Sequence, residues 1–297
     1  MFHSSALPVV NHKITNRGTL LAVVSSILYS SLGYLGITQM HPGFTVYDML
    51  FWRFIVAGIL LLPFALRVSV WTKMDVSSAV WLFLLGGSTY GGSSLFYFLA
   101  AQNLGTGISM VIFFAFPVFV ALLAWVFDRH RLGRLTYVSM ITLFCGLWLL
   151  GDECGPGFHW MAAFLALSSG VTYAVYVYMG KKIKVTPIAS SLIVCFGSAF
   201  TIWCTDGLVG SRTFLPSFQI PWLYVFLTAM LATVLPIILL LEALKKISAT
   251  KASLLSVFEP LSTVIIGIMF LGESVTDIQT VGIIIVLVGA LLTHYDR

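Results

Sequence analysis

Residues 107–127 read GISMVIFFAFPVFVALLAWVF, a run without one charged side chain. About 20 apolar residues wound as a helix cross the ~30 Å hydrocarbon core of a bilayer, so this run has spanning length. It is continuous rather than alternating, unlike the weak ten-residue alternation of a bilayer strand. A helix also satisfies its own backbone groups, as hydrocarbon demands. Pro117, in its middle, is the feature a plain helix does not explain.

The rest of the chain repeats the pattern. Of 297 residues, 59% are apolar and 9% charged, with a mean hydropathy of +1.00; a soluble domain carries about 25% charged residues. This excludes a solvated globule, a disordered chain and a coiled coil, and four cysteines are too few for a disulfide scaffold. Apolar windows read against turn and charge signals give ten spans: 19–38, 47–66, 79–100, 107–127, 135–150, 159–180, 187–205, 222–242, 250–270 and 276–294. The fold class is all-α integral membrane, with ten transmembrane helices. Residues 1–18 are a polar tail rather than a cleavable signal.

The basic residues orient the spans. Lys13, Arg17, Arg67, Lys73, Arg129, Arg131, Arg134, Lys181, Lys182, Lys184, Lys245, Lys246, Lys251 and Arg297 all fall on the N-terminal side, Arg212 falls on the other, and Arg53 lies within span 2. Lys and Arg beside short loops stay cytoplasmic, so both termini are expected inside. Scattered over loops, the net charge of +5 forms no basic stripe for nucleic acid.

Sliding the chain on itself by 143 residues lays spans 1–5 (19–150) on spans 6–10 (159–294). Ser25-Ser26 then falls on Ser168-Ser169, Ala100 on Ala243, Pro117 on Pro260 and Gly146 on Gly289. Each half has an odd number of spans, so the halves cross in opposite senses. That is an inverted repeat with a pseudo-two-fold axis in the membrane plane.

Two five-helix halves with a proline in each fourth helix resemble the drug/metabolite transporter superfamily, specifically its EamA-type members. The second half carries the clearer pattern: ALKKISATKASLLSVFEP from Ala243 to Pro260, then Gly272-Glu273. Arg53-Phe54 matches a recurring family dipeptide. The first half departs: Phe116 stands where an acid often precedes the proline, and Arg129-His130 where Gly-Glu is usual. No symmetric site of matched acids follows. The resemblance implies a secondary transporter of the bacterial inner membrane working by alternating access, for a small organic metabolite such as an amino acid. Export is the family's usual direction; an uptake carrier or exchanger is the alternative, and a channel a more remote one.

Charges inside hydrocarbon mark the candidate site, since each costs about 2.5–3.5 kcal/mol at a helix centre. Glu259 lies near the midplane beside Pro260, which removes a backbone bond and frees a carbonyl near Ser256. The carboxyl either takes a substrate amine or a coupling proton, or is neutral and caps the broken turn or pairs with Arg53. Arg53 either snorkels to the outer interface or serves a substrate carboxylate or a gate. Asp48 and Glu242, near span ends, are expected to be wet.

Polar stripes extend the site. Ser169, Tyr173, Tyr176 and Gly180 share one face of span 6, and the 143-residue shift lays the first three on Ser26, Ser30 and Gly33. Tyr90, Ser94 and Tyr97 make a face of span 3, with no polar equivalent on span 8 beyond Thr233, and Ser256, Glu259 and Thr263 make one of span 9. Tyr29 and Tyr224 lie off these stripes. Either the set lines a cavity for an amphipathic metabolite, or its hydroxyls bond across packed helices at about 0.6 kcal/mol each.

Other chemistries lack their residues. Gly86–Gly92 has no Lys-Ser/Thr ending and lies within a span, so it is no phosphate loop; Gly87 and Gly91 suit close helix packing. No paired intramembrane aspartates, Ser–His pair, HExxH or CxxC occurs, so neither an enzyme, a metal nor a cofactor is expected. The expected partners are the small-molecule substrate, optionally a coupling proton, and the lipid bilayer. Monomer and homodimer both stay open.

Overall fold

The computed structural model describes residues 12–41, 43–66, 75–129, 134–152, 159–180, 185–209, 220–247 and 249–292. They form ten helical rods: α1 (His12–Thr38), α2 (Val46–Ala65), α3 (Val76–Trp81 with Gly87–Leu104), α4 (Thr106–Phe113 with Phe116–Asp128), α5 (Arg134–Asp152), α6 (Trp160–Gly180), α7 (Pro187–Val209), α8 (Trp222–Ala229 with Leu235–Leu244), α9 (Ala249–Leu255 with Phe258–Leu271) and α10 (Asp277–Leu292). Among the described residues, six helical stretches are long and apolar enough to cross a membrane and three shorter apolar helices accompany them. The extended backbone there is one isolated bridge, His41 with Phe44. The chain is an all-α membrane protein.

Two boundaries move. Helix α1 begins at His12, inside the stretch expected to be tail, and α7 runs on to Val209, taking the buried Asp206 into the helix. An acid at the end of an apolar run reads as a loop, yet the helix continues because the side that carries Asp206 is covered by the bundle, while Leu208 on the opposite side is exposed.

Consecutive rods end alternately at two faces. At the near face, which carries the start of α1, Gly18 packs on Lys246 and Ile247 beyond α8, and Tyr178 donates to Asp128 across α6 and α4 at 2.8 Å. At the far face the α9–α10 turn meets the start of α4, where the Glu273 carboxylate accepts from Thr106 and Gly107.

The repeat is visible in four devices. Helices α3 and α8 each contain a π-helical turn, Leu82–Gly86 and Met230–Val234. Helices α4 and α9 are each interrupted shortly before their proline, at Phe114-Ala115 and Ser256-Val257. Both end on a left-handed residue, Arg129 at φ 54° and Gly272 at φ 68°, positions that the 143-residue shift superposes. Finally, α5 and α10 meet backbone to backbone. A Cβ on Gly146 would lie 3.0 Å from the Gly282 carbonyl oxygen, and one on Gly289 3.2 Å from that of Ser139. Ser139 and Gly282 are themselves related by the shift, as are Gly146 and Gly289. Two pairs exchanged by one operation put the pseudo-two-fold axis between α5 and α10.

Close approach also joins the halves. A Cβ on Gly87 would lie 2.3 Å from the Gly197 carbonyl carbon, and one on Gly197 2.1 Å from the Phe83 carbonyl oxygen, so α3 and α7 cross where side chains are absent. The largest apolar cluster fills the far-face half of the bundle around Met49, Leu50, Phe54, Phe98, Met110, Ile202 and Val225.

Candidate functional site

A cavity of about 390 Å³ occupies the centre of the bundle. It reaches the near face, since Pro187 at the start of α7, Leu241 near the end of α8 and Ala252 in the first turns of α9 line it; Leu32, Tyr97 and Met110 mark its inner limit, beneath the far-face apolar cluster.

Arg53 is placed by α2, whose start is fixed by a capping box. The Thr45 hydroxyl and amide donate to Asp48 at 2.8 and 2.9 Å, and the Asp48 amide donates back at 3.4 Å. Asp48 is therefore buried, 3% exposed, rather than wet: a carboxylate satisfied by its own helix start need not reach water. Arg53 does not snorkel outward either. It is 1% exposed, lines the cavity, donates from Nε to the Thr233 hydroxyl at 3.1 Å, and sits 5.0 Å over the Phe54 ring. Its Nη1 is buried without a partner. Thr233 lies in the π-helical turn of α8, a local widening that is frequent at functional sites.

Glu259 also lines the cavity, and no ion pair joins it to Arg53. The freed carbonyl expected near Ser256 is not free: the chain tightens and the Glu259 amide donates to the Ser256 carbonyl at 2.9 Å. The Glu259 main-chain carbonyl accepts from Thr263 at 2.9 Å. The break before Pro260 is thus satisfied by backbone, not by the acid's side chain. In the first half Pro117 leaves the Phe113 carbonyl, against which Gly170 of α6 packs so closely that a Cβ there would lie 2.9 Å away.

Aromatic rings form the wall between the two charged groups. Tyr90 lies 5.3 Å from Tyr176 and 6.2 Å from Tyr173, and Phe54 5.8 Å from Tyr90. Tyr173 meets the edge of Phe116 at 4.9 Å. Phe116 is the symmetry counterpart of Glu259, so the pseudo-two-fold exchanges an apolar wall for an acid.

Of the residues expected to gather here, Ser26, Tyr90, Ser94, Tyr97, Ser169, Tyr173, Tyr176, Ser256, Glu259 and Arg53 line the cavity. Ser30 and Thr263 do not: both are buried, and the Ser30 hydroxyl turns back to the Ile27 carbonyl at 2.6 Å. Several lining hydroxyls are already used for packing. Ser93 and Ser169 exchange bonds with each other's carbonyls at 2.9 and 2.8 Å, and Ser26 donates to the Ala22 and Leu255 carbonyls. Pro117 and Pro260 shape their helices without lining the cavity. Tyr29, Ser25, Ser191 and Cys195 line it unforeseen. Ser25, Tyr29 and Leu32 follow each other at i, i+4 and i+7, a stripe the sequence carried. Among the described residues no His, Cys, Asp and Glu group could hold a metal.

The fold has known counterparts. A solved crystal structure covering 93% of this chain and 96% of its own has a TM-score of 0.62 at 17% identity, a likeness of fold. The uncharacterized transporter YxxF of Bacillus subtilis is 22% identical over 98% of this chain and 93% of its own length. The threonine/homoserine exporter RhtA of Salmonella typhimurium is 28% identical over 70% of this chain and 69% of its own. The EamA-like transporter family matches residues 16–151 and again 160–295. With two copies of the family's repeat covering nearly its whole length, the chain belongs to the EamA-like transporter family.

Proposed function

We propose that the protein exports a small zwitterionic metabolite, of the amino-acid class, across the bacterial inner membrane by alternating access. One observation carries the reading: a buried guanidinium with an unpartnered Nη1 and a carboxyl that pairs with no cation among the described residues face one cavity, walled by tyrosines. A zwitterion supplies the missing partner to each, its carboxylate to Arg53 and its ammonium to Glu259. The guanidinium fork favours a carboxylate, and the rings accommodate an apolar side chain.

Both termini are cytoplasmic in this account, so the cavity opens inward and loads from the cytoplasm. The basic-residue bias supports that orientation, and the likeness to RhtA, a threonine/homoserine exporter, supports outward movement of amino acids. The repeats 19–150 and 159–294 move against each other. Glu259, released by the ammonium, is free to carry a proton in the return step.

Thermal denaturation of the purified protein with a panel of amino acids tests the reading. A ligand bound only by the folded state at 100-fold its Kd stabilises by about 2.7 kcal/mol. Intact amino acids are expected to raise the Tm, and their methyl esters and N-acetyl derivatives to fail. Equal shifts from ester and free acid would remove Arg53 as the carboxylate anchor.

A further inference from the structure

The far face is closed by a cross-repeat contact of unusual construction. Glu273, in the α9–α10 turn of the second repeat, aims its carboxylate at the start of α4 in the first. It accepts from the Thr106 amide, from the Thr106 hydroxyl at 2.8 Å and from the Gly107 amide at 3.0 Å. Three glycines make the space. A Cβ on Gly105 would lie 2.9 Å from the carboxylate carbon, one on Gly107 3.2 Å from Oε2, and one on Gly267 2.3 Å from Oε2. Gly105 stands at φ 81° and so turns the chain into α4 at an angle L side chains rarely adopt. Donors from one repeat and glycines from both thus enclose one carboxylate.

Thr106 joins this contact to the cavity. It is 1% exposed; its carbonyl accepts from the cavity residue Tyr97 at 3.4 Å, and a Cβ on Gly33 of α1 would lie 2.9 Å from both the Thr106 Cβ and the Tyr97 hydroxyl. Helices α1, α3, α4 and the α9–α10 turn converge on one residue beneath the far face.

We infer that Glu273 is the latch of the outer gate, holding the two repeats together at the far face while the cavity opens to the near face. The two faces are held unequally. The 143-residue shift relates Gly272-Glu273 to Arg129-His130, so the first repeat has no carboxylate at the matching position, and the near-face contact of Tyr178 with Asp128 supplies one hydroxyl donor where Glu273 accepts from two amides and a hydroxyl. That imbalance biases the resting carrier toward the state held at the far face, and the outward swing requires the Glu273 bonds to break. Charge-assisted bonds to an anion are about twice as strong as neutral ones, which suits a contact that must hold and then release. This deepens the carrier reading above and rests on it.

The test reads accessibility and needs no substrate, so its failure is separable from failure of the amino-acid assignment. In a chain with its four cysteines replaced, a Ser94→Cys probe in the cavity wall is labelled by a membrane-impermeant maleimide applied to either face of membrane vesicles. The latched carrier is expected to label from the near face. Glu273→Gln leaves one acceptor oxygen and is expected to raise far-face labelling about tenfold and to lower near-face labelling. Thr106→Val, which removes only the hydroxyl donor, is expected to shift labelling the same way by less. Unchanged far-face labelling in both variants, with Tm showing folded protein, would overturn the latch. So would a rise from both faces, which marks loosening rather than a gate.

Discussion

Glu259 and Arg53 together decide what the cavity holds, and each can be tested alone. Glu259→Gln keeps shape and donor capacity but cannot titrate. If the carboxyl alternates between proton and ammonium, wild-type transport changes between about pH 6 and 8 while the Gln variant is flat. An unaltered pH profile in the Gln variant would reduce Glu259 to a polar wall group. Tyr90, Tyr173, Tyr176 and Tyr29 give a second test. Tyr→Ala at each is expected to raise the half-saturating substrate concentration about fivefold, equivalent to ~1 kcal/mol of lost ring contact. Tyr224→Ala, at a partly exposed ring outside the cavity, is expected to leave transport unchanged, as a radiolabel flux assay will show. At this scale the sequence stripes match the cavity lining on most faces but not at their edges. Neighbouring helix positions differ by about 100° around the axis, so the stripe reaches Ser30 while Tyr29 lies in the wall. Nor does a stripe show whether a hydroxyl is already spent, as with Ser26 and Ser169.

The helices themselves were legible from apolar length, although α1 begins at His12, ahead of its apolar run. Their interruptions were not. Pro117 and Pro260 mark a break, but its position depends on which amide can reach the last carbonyl, and in α9 that is Glu259 reaching Ser256. The π-helical turns of α3 and α8 carry no comparable signal, because an extra residue in a turn leaves composition unchanged. One departure from the repeat has an energetic consequence. Arg129 adopts the left-handed conformation that Gly272 holds without strain. A side chain there costs roughly 1–2 kcal/mol, so Arg129→Gly is expected to stabilise the folded protein by about 1 kcal/mol, read as a rise in Tm. A fall in Tm would show that the guanidinium makes a contact worth more than the strain.

Across the whole molecule, an internal shift of 143 residues and the odd number of spans in each half point to the two-repeat inverted architecture. Contacts supplied what the shift alone lacks: the axis between α5 and α10, the near-face cavity and the far-face closure. Reporter fusions at residues 43, 104, 154, 212 and 274 are expected to read outside and those at 70, 131, 183 and 247 inside; two reversals would break the assigned orientation. Residues 154, 212, 70, 131 and 183 lie outside the described residues, so their sidedness rests on charge and span count. The central claim is that one cavity is exposed to the two faces in turn while it holds a zwitterion. Counterflow in proteoliposomes tests it most directly, with an excess of unlabelled neutral L-amino acid inside and a trace of the labelled compound outside. The account predicts transient accumulation of label above equilibrium, lost in Arg53→Gln. Label that only equilibrates for every amino acid tried, at a rate indifferent to the internal load, would contradict it.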